Sequence, residues 1–388
     1  MSDAETTGAT PVAIAPPVSR AVGKRRHNVR NILIVKPSSM GDIVHTFAAA
    51  QLLHENYPKA AIDWLVHPNF IELLDYCPAP INERIFFRRK ELGHFFKFFV
   101  YFPRLMRTLR KKRYGLVLDF QGLFRSAAVA ALARHTDLIG FADSREAIAA
   151  RLYKTKVDIP DNVRDSNSRY LALAASCCEL ALEKRVELPV HKYNIRAAAE
   201  KLQNRGISMS GNYIAVFPRA RWKTKTFPKK LFVKLISDLQ GKFPEVEFVL
   251  MGAKDDRSRI KTIAGMTARP CAVLAGDTTV GQMVEILRAA RMVIGNDSGP
   301  MHIAAALNTP GVAFYGASSP DLTGPAGSSI EVIQSSAPCL GCLKRECADA
   351  GELCHKVNYD KLFKCASKIL QGRLSANTTT SNKEGARE

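Results

Sequence analysis

The sequence lacks long apolar runs, and none of its hydrophobic stretches approaches the roughly 18–20 residues that a membrane-spanning helix needs. It also lacks a recognisable secretory leader, because Asp3 and Glu5 open the chain and Pro11, Pro16 and Pro17 interrupt its first apolar stretch. Acidic residues are scarce: 36 Asp and Glu stand against 56 Lys and Arg, which gives a net charge of +20. We therefore expect a cytoplasmic protein with an anionic partner, such as nucleic acid, phospholipid headgroups or a phosphorylated glycan.

The cysteines do not form the pattern of a disulfide framework. Their number, nine, is odd, and Cys177 and Cys178 are adjacent. Together with the missing leader, this pattern indicates reduced thiols in an intracellular protein. The length of 388 residues and the hydrophobic fraction of 46% predict two globular domains.

Short apolar strands alternate with helices along most of the chain. Strands are expected at 31–36, 61–66, 115–118, 138–141, 213–217, 246–251, 271–274, 292–294 and 312–314. Helices are expected at 43–56, 122–134, 165–182, 229–240, 255–266, 280–290 and 300–307. This alternation predicts an α/β fold of parallel sheets covered by helices on both faces, in two Rossmann-like domains. We place the domains at 31–190 and 191–371 with a polar hinge near 184–211, and disordered tails at 1–30 and 372–388.

Ligands bind at the carboxyl ends of strands in such sheets, so the loops that leave the strands hold the candidate sites. The first loop runs from Lys36 through Ser39 and Gly41 to Asp42, into a helix. Asp42 suits either of two roles: a plain helix cap, or a carboxylate at the cleft floor that acts as a general base on a hydroxyl.

Two further loops carry polar residues at high density. Residues 295–302 lead from a strand into a helix, where Gly299 admits a close ligand and the helix N-terminus favours phosphate. The alternative there is a capping Asp297 with a half-buried His302. Residues 219–225 hold four cations in seven residues, which could clamp a diphosphate or form a solvated basic loop.

Five segments together resemble glycosyltransferase family 9, the ADP-heptose:lipopolysaccharide heptosyltransferases. They cover residues 34–46, 119–126, 225–228, 296–307 and 314–316, in the family's order. The opening segment most resembles the heptosyltransferase I branch, whereas Ser298 and Pro300 stand where that branch often has Thr and Leu.

The resemblance implies a GT-B fold and inverting transfer of heptose from ADP-heptose to the Kdo of the lipopolysaccharide inner core, without a catalytic cofactor. It implies that Asp42 is the base and that Lys225 neutralises the leaving diphosphate. The implied donor-binding residues are Lys225, Asp297, Ser298, Gly299, His302, Met251, Gly252 and Arg221. The implied acceptor-binding residues are Ser39, Gly41, Arg88, Arg89, Gln121, Arg125 and Arg145.

Residues 84–113 combine eleven Lys and Arg and one Glu with eight aromatic residues. One helical face would hold Phe95, Phe98, Phe99, Phe102, Leu105, Met106 and Leu109, with Pro103 breaking the segment into two helices. A basic amphipathic segment suits a membrane surface. Together with this pattern, the family resemblance implies peripheral association with the inner leaflet of the inner membrane and binding of Kdo-lipid A. The alternative is an apolar stripe packed on the N-terminal domain, with solvated cations.

Four cysteines lie within the loop 339–354 with the spacing C-x2-C-x4-C-x6-C: Cys339, Cys342, Cys347 and Cys354. Four close thiolates suit a structural zinc or iron ion, and the alternative is four reduced thiols. A similar cluster in some family members resembles heptosyltransferase II, so a type II enzyme or another acceptor is an alternative to type I.

Two further alternatives remain at this point. A basic nucleic-acid-binding protein with a four-cysteine knuckle would explain the charge and the aromatic residues, but not the ordered loops at the strand ends. A catalytically silent family member is disfavoured because Asp42, Lys225, Asp297 and His302 are all present. No nucleic-acid partner is therefore expected.

Overall fold

The computed structural model describes residues 28–180, 187–347 and 353–384. The first half forms a parallel six-stranded sheet, in the order β3-β2-β1-β4-β5-β6. Its strands are β1 (Asn31–Val35), β2 (Ala61–Val66), β3 (Ile81–Phe86), β4 (Tyr114–Asp119), β5 (His135–Phe141) and β6 (Thr155–Val157). Its helices are α1 (Met40–Asn56), α2 (Arg89–Leu92), α3 (Phe95–Arg110), α4 (Phe124–Leu132), α5 (Ala147–Ala150) and α6 (Ser166–Ala175), with a 3-10 helix at Pro68–Tyr76.

The second half repeats this architecture, with a parallel sheet in the order β12-β11-β10-β7-β8-β9. Its strands are β7 (Tyr213–Phe217), β8 (Glu247–Leu250), β9 (Ala272–Val273), β10 (Met292–Asn296), β11 (Gly311–Tyr315) and β12 (Ile330–Gln334). Its helices are α7 (Lys192–Gln203), α8 (Lys229–Lys242), α9 (Arg257–Ala264), α10 (Val280–Ala289), α11 (Gly299–Ala306), α12 (Pro320–Thr323) and α13 (Tyr359–Glu384), with 3-10 helices at Lys223–Lys225 and Lys254–Asp256. The predicted α/β architecture is confirmed.

Both sheets have the doubly wound order: successive strands are added on one side of the first strand of each half, and from the fourth strand on they are added on its other side. These reversal points lie between β1 and β4 and between β7 and β10. The central strands are buried along almost their whole length, because helices cover both faces of each sheet. A crevice opens at the carboxyl ends of the strands at each reversal point, which is where ligands bind in such sheets. The three candidate loops, at 36–42, 219–225 and 295–302, each leave one of these four strands.

The two halves pack against each other through α1 and α11. One cluster of buried apolar residues runs from the first sheet to the second, from Ile32 and Ile34 to Tyr213 and Val293. The ends of β1, β4, β7 and β10 therefore belong to one site.

Several predicted elements differ from those observed. The stretch predicted as a polar hinge contains α7, which packs its Ala198 and Leu202 into the core, while residues 181–186 lie outside the described part. The helix expected over 165–182 ends at Ala175, because the chain turns there and the N–H groups of Glu179 and Leu180 both donate to Asn56 Oδ1, at 2.8 Å.

The predicted helix break at Pro103 is also wrong, and so is the disorder predicted for the first part of the C-terminal tail. Helix α3 continues through Pro103 because buried Leu105 and Leu109 hold the following turns against the sheet. Residues 372–384 are helical as the end of α13, while residues 385–388 and the N-terminal segment 1–27 lie outside the described part. Within the described part of the chain, no helix combines the length and the apolar composition needed to span a bilayer.

Candidate active site between the two sheets

Asp42 lies in the first turn of α1, three residues after Ser39, which caps that helix. Its Oδ2 accepts hydrogen bonds from the Ser39 N–H at 3.0 Å and from the Ser39 hydroxyl at 2.6 Å. Its Oδ1 faces the other way and accepts a hydrogen bond from the Tyr170 hydroxyl, at 2.7 Å. One oxygen of Asp42 thus closes the helix end while the other faces the interior of the site, so the two predicted roles are compatible.

Lys36 is a buried cation behind this carboxylate, at the end of β1. Its Nζ donates to the Tyr170 hydroxyl at 2.7 Å and to the Phe120 carbonyl at 3.0 Å, and it lies 3.7 Å from Asp42 Oδ1. Burial lowers the pKa of Lys36, against the opposing charge of Asp42. Burial by itself would raise the pKa of Asp42, but Lys36 and the hydrogen bonds from Ser39 and Tyr170 outweigh it and hold that pKa well below its usual range. The Asp42 side chain is therefore an ionised proton acceptor, and it is 31% exposed.

The loop after β4 is organised by Asp119. This buried carboxylate accepts hydrogen bonds from the Gln121 N–H, the Ser126 hydroxyl and the Tyr153 hydroxyl, each at 2.9 Å. Burial raises the pKa of Asp119. Gln121 Oε1 in turn accepts the Ser38 N–H at 3.3 Å, which ties the β4 loop to the β1 loop. The predicted Gln121 thus lies next to the loop that carries Asp42.

Lys225 and Asp297 form an ion pair on the opposite side of the site, with Nζ 2.5 Å from Oδ2. The Ser318 hydroxyl donates to the same oxygen. The Lys225 ammonium also lies 4.6 Å from the centre of the Trp222 ring. The side chain of Asp297 is 4% exposed, against 15% for Lys225, so the cation is the more accessible partner.

His302 joins the two halves through His45. Its Nδ1 lies 2.9 Å from His45 Nε2, so one ring donates and the other accepts, and its Nε2 lies 3.9 Å from Asp297 Oδ1. Burial, followed by the nearby His302, lowers the pKa of His45 to about 3. Burial also lowers the pKa of His302, against the opposing charges of Asp297 and Asp42. Both imidazoles are therefore neutral near pH 7.

The N-termini of α1 and α11 meet at this histidine pair. A Cβ on Gly41 would lie 2.5 Å from Cδ2 of His302, and a Cβ on Gly299 would lie 2.7 Å from Cβ of Met40. Only glycine permits this approach. Two helix N-termini with unpaired N–H groups attract an anion, and the buried Ser298 hydroxyl has no hydrogen-bond partner among the described residues. The site can thus bind an anion beside an ionised carboxylate.

Other predicted donor residues lie further from this cluster. Arg221 is exposed and forms no ion pair within the described ranges. Met251 and Gly252 follow directly after β8. The Met251 side chain is buried in the core, and the Gly252 carbonyl accepts the Gly276 N–H at 2.9 Å.

The predicted acceptor residues form two groups. Arg145 is exposed and lies close enough for its charge to act on Lys36 and Tyr170, so it belongs beside the base. Arg88 and Arg89 are exposed at the start of α2, where Arg88 pairs with Glu91 at 3.0 Å. Arg125 is exposed on α4.

Four residues of the site were missed by the sequence reasoning. Lys36 had a local signal, since it is a lysine that ends an apolar strand, and His45 follows Asp42 by one helical turn. Tyr170 and Ser318 had none, because each meets its carboxylate across more than twenty residues of chain.

The four predicted cysteine ligands occupy one neighbourhood. Cys339 and Cys342 are exposed, Cys347 is partly exposed and Cys354 is buried. Burial, followed by the charges of the other three thiols, raises the pKa of Cys354. Residues 348–352 of this loop lie outside the described part. Among the residues that the structure describes, no three His, Cys, Asp or Glu side chains are placed so that they could hold a metal ion.

The sequence is similar to those of known proteins. The profile of glycosyltransferase family 9 (heptosyltransferase) matches residues 102–351. Lipopolysaccharide heptosyltransferase 1 of Pseudomonas aeruginosa is 27% identical over 323 residues, which cover 81% of this chain and 87% of the relative. Lipopolysaccharide heptosyltransferase 2 of Salmonella typhimurium is 30% identical over 312 residues, which cover 78% of this chain and 87% of the relative.

A solved structure shares the fold. The E. coli heptosyltransferase WaaC with ADP superposes with a TM-score of 0.70 at 24% identity, covering 87% of this chain and 99% of that chain. This likeness supports the two-domain GT-B architecture.

Proposed function

The chain belongs to glycosyltransferase family 9, the heptosyltransferases, and from that premise we propose that it transfers heptose from ADP-heptose to the Kdo of the lipopolysaccharide inner core. The observation that carries this proposal is the ionised Asp42 carboxylate, which shares one site with the Lys225–Asp297 pair. Family membership sets aside the alternative of a nucleic-acid-binding protein.

In this proposal Asp42 accepts the proton of the acceptor hydroxyl. A carboxylate offers about four lone-pair positions, and three are taken by the Ser39 N–H, the Ser39 hydroxyl and the Tyr170 hydroxyl. The remaining position, on a side chain that is 31% exposed, is available to the acceptor. As the proton moves to Asp42, the hydroxyl oxygen attacks the anomeric carbon of the heptose and the bond from that carbon to the ADP oxygen breaks, with inversion.

The leaving ADP carries negative charge that the opposite side of the site would neutralise. Lys225 supplies a cation, and the N-terminus of α11 supplies N–H groups at Ser298 and Gly299. His302, held by His45 and lying near Asp297, would bind the phosphates or heptose hydroxyls. The nucleoside would lie near Gly252 and Met251 at the end of β8, with Arg221 on the exposed side of the diphosphate.

The acceptor would lie on the N-terminal side. Gln121 and Arg145 flank Asp42, together with Ser39 and Gly41 of the α1 loop, while Arg88, Arg89 and Arg125 are suited to phosphate or carboxylate groups further out on the acceptor. We propose Kdo-lipid A as this acceptor. A type II enzyme acting on the first heptose is the alternative, since relatives of both types match at about 27–30% identity.

A structural metal at the four thiols is a separate proposal. It rests on their spacing, C-x2-C-x4-C-x6-C, and it requires the thiols to draw closer together than they lie in the described part of the chain. The metal would pin the loop after β12, and Cys342→Ser should then abolish bound zinc or iron in elemental analysis while it leaves ADP binding intact. Purified protein without stoichiometric metal would contradict this.

The base is tested by Asp42→Asn, with exposed Asp158→Asn as the matched control. We expect Asp42→Asn to lose at least about a hundredfold in transfer, because a carboxamide cannot take the proton, while ADP affinity stays within about twofold. Near-normal turnover of the variant would show that another group is the base.

A further inference from the structure

Helix α3 presents an apolar cluster to solvent at its N-terminal end. Phe95 is 72% exposed, Phe96 76%, Phe99 62% and Val100 55%. Their spacing places them in two adjacent columns on one side of the helix. The rings of Phe95 and Phe96 pack edge to face with centres 5.5 Å apart, and those of Phe95 and Phe99 with centres 5.3 Å apart. Such a cluster on a surface marks a contact with another apolar phase.

The cluster belongs to an anchored helix. Leu105 and Leu109, two and three turns further along, are buried against the sheet. Tyr101 donates to the Phe86 carbonyl and accepts the Arg88 N–H at 3.1 Å, which fixes the exposed turns to β3. The apolar stripe predicted from the sequence is therefore divided: Leu105 and Leu109 are buried in the core, whereas Phe95 and Phe99 face outward.

The same helix ends in a basic surface with two shallow depressions that are open to solvent. One, of about 740 Å³, is lined by Pro103, Met106, Arg107, Thr108, Arg110 and Lys111. The other, of about 580 Å³, shares Arg110 and adds Arg134 and His135. Over the described residues, no carboxylate pairs with Arg107, Arg110 or Lys111. Guanidinium groups around such depressions suit phosphate oxygens.

We propose that α3 docks this protein on an anionic phospholipid surface. The aromatic cluster at Phe95, Phe96 and Phe99 enters the boundary of the acyl chains, and the basic depressions around Arg110 hold lipid phosphates. An interfacial helix combines these two features, an apolar side and cations that meet the headgroups. Through this surface the proposed enzyme would reach a lipid-linked acceptor. Only the choice of a lipid as the partner rests on the proposed function.

The charge argues against a second copy of the chain as the occupant of this surface. A symmetric contact through α3 would bring two sets of unpaired cations together, since residues 84–113 hold eleven Lys and Arg and one Glu. A nucleic acid would satisfy the cations, but would leave the clustered, mutually packed phenylalanines exposed to water.

Vesicle co-sedimentation of the full chain tests the proposal, with vesicles of pure phosphatidylcholine and with 30% phosphatidylglycerol added. The apolar variant is the triple change Phe95→Ser, Phe96→Ser and Phe99→Ser, with exposed Tyr193→Ser on α7 as its control. We expect the triple variant to bind anionic vesicles at least about tenfold more weakly and the control to bind like the wild type.

The basic variant is Arg107→Gln with Lys111→Gln, and exposed Lys229→Gln with Lys230→Gln is its matched control. The basic variant should lose most of the preference for phosphatidylglycerol, and its control should keep it. ADP binding, measured by calorimetry, should be unchanged in all four variants, which shows that they are folded.

Three results would overturn the proposal: wild-type protein that ignores anionic vesicles, a triple phenylalanine variant that binds them normally, or light scattering that shows α3-dependent dimers in place of vesicle binding. These results are independent of the reaction. If no acceptor supports transfer but vesicle binding follows α3, the proposed function fails and the docking surface stands.

Discussion

Replacing Lys36 with methionine tests whether this buried cation keeps the base ionised. Lys36 Nζ lies 3.7 Å from Asp42 Oδ1, which corresponds to about 4 kcal/mol at an effective dielectric constant of about 20. Because Asp42 is 31% exposed, solvent screening reduces this to roughly one to two pKa units. Removing a nearby positive charge disfavours the carboxylate, so the pKa of Asp42 should rise.

The assay is the titration of the isotope-labelled Asp42 carboxyl, followed by NMR between pH 2 and 6 with folding checked at each pH. In the wild-type protein the pKa of Asp42 lies well below its usual range, so this group should not complete a titration in that window. In Lys36→Met the titration should move up by about one to two pH units, into the measurable range. Exposed Lys59→Met is the matched control and should leave the profile unchanged. A folded Lys36→Met variant with the wild-type profile would refute the reasoning.

Three further predictions concern the contact between the two halves and the donor side. Gly41→Ala would place its Cβ 2.5 Å from the ring of His302, so the free energy of unfolding should fall by about 1–3 kcal/mol and kcat should fall. The control Gly241→Ala, at a helical position with open space around it, should slightly stabilise the protein, and equal thermal stability of the two variants would contradict the close approach. His45 has a pKa of about 3 in the folded protein, so below about pH 6.5 it gains a proton only on unfolding. The free energy of unfolding should therefore fall by up to about 1.4 kcal/mol per pH unit from pH 6.5 to 5, and His45→Gln should reduce that slope in urea titrations. Lys225→Met should weaken ADP-heptose binding at least about tenfold by calorimetry, and unchanged binding would exclude a phosphate contact.

The central strands were predictable because they are short apolar runs, whereas the missed strands lie at sheet edges. β3, β6 and β12 are edge strands with charged or polar residues in their sequences, such as Glu83 and Arg84 in β3. An edge strand is covered less completely, so its sequence need not be continuously apolar. Hydrophobic pattern alone therefore finds the interior of each sheet.

The same distinction applies to the site. Asp42, Lys225 and Asp297 were predictable because each lies in a loop that leaves a strand, with local signals of glycine, charge or helix capping. Tyr170 and the pairing of His45 with His302 were not, since those contacts join positions 128 and 257 residues apart. Local pattern identifies loops, but which side chains meet across them depends on how the sheets pack.

The account is tested most directly by ADP release from ADP-heptose, with Kdo-lipid A and heptosyl-Kdo-lipid A offered in parallel. It predicts turnover with Kdo-lipid A and loss of that turnover in Asp42→Asn. Turnover only with heptosyl-Kdo-lipid A would contradict the proposed acceptor and favour the type II alternative. No ADP release with either acceptor, from protein that binds ADP-heptose, would contradict the proposed reaction.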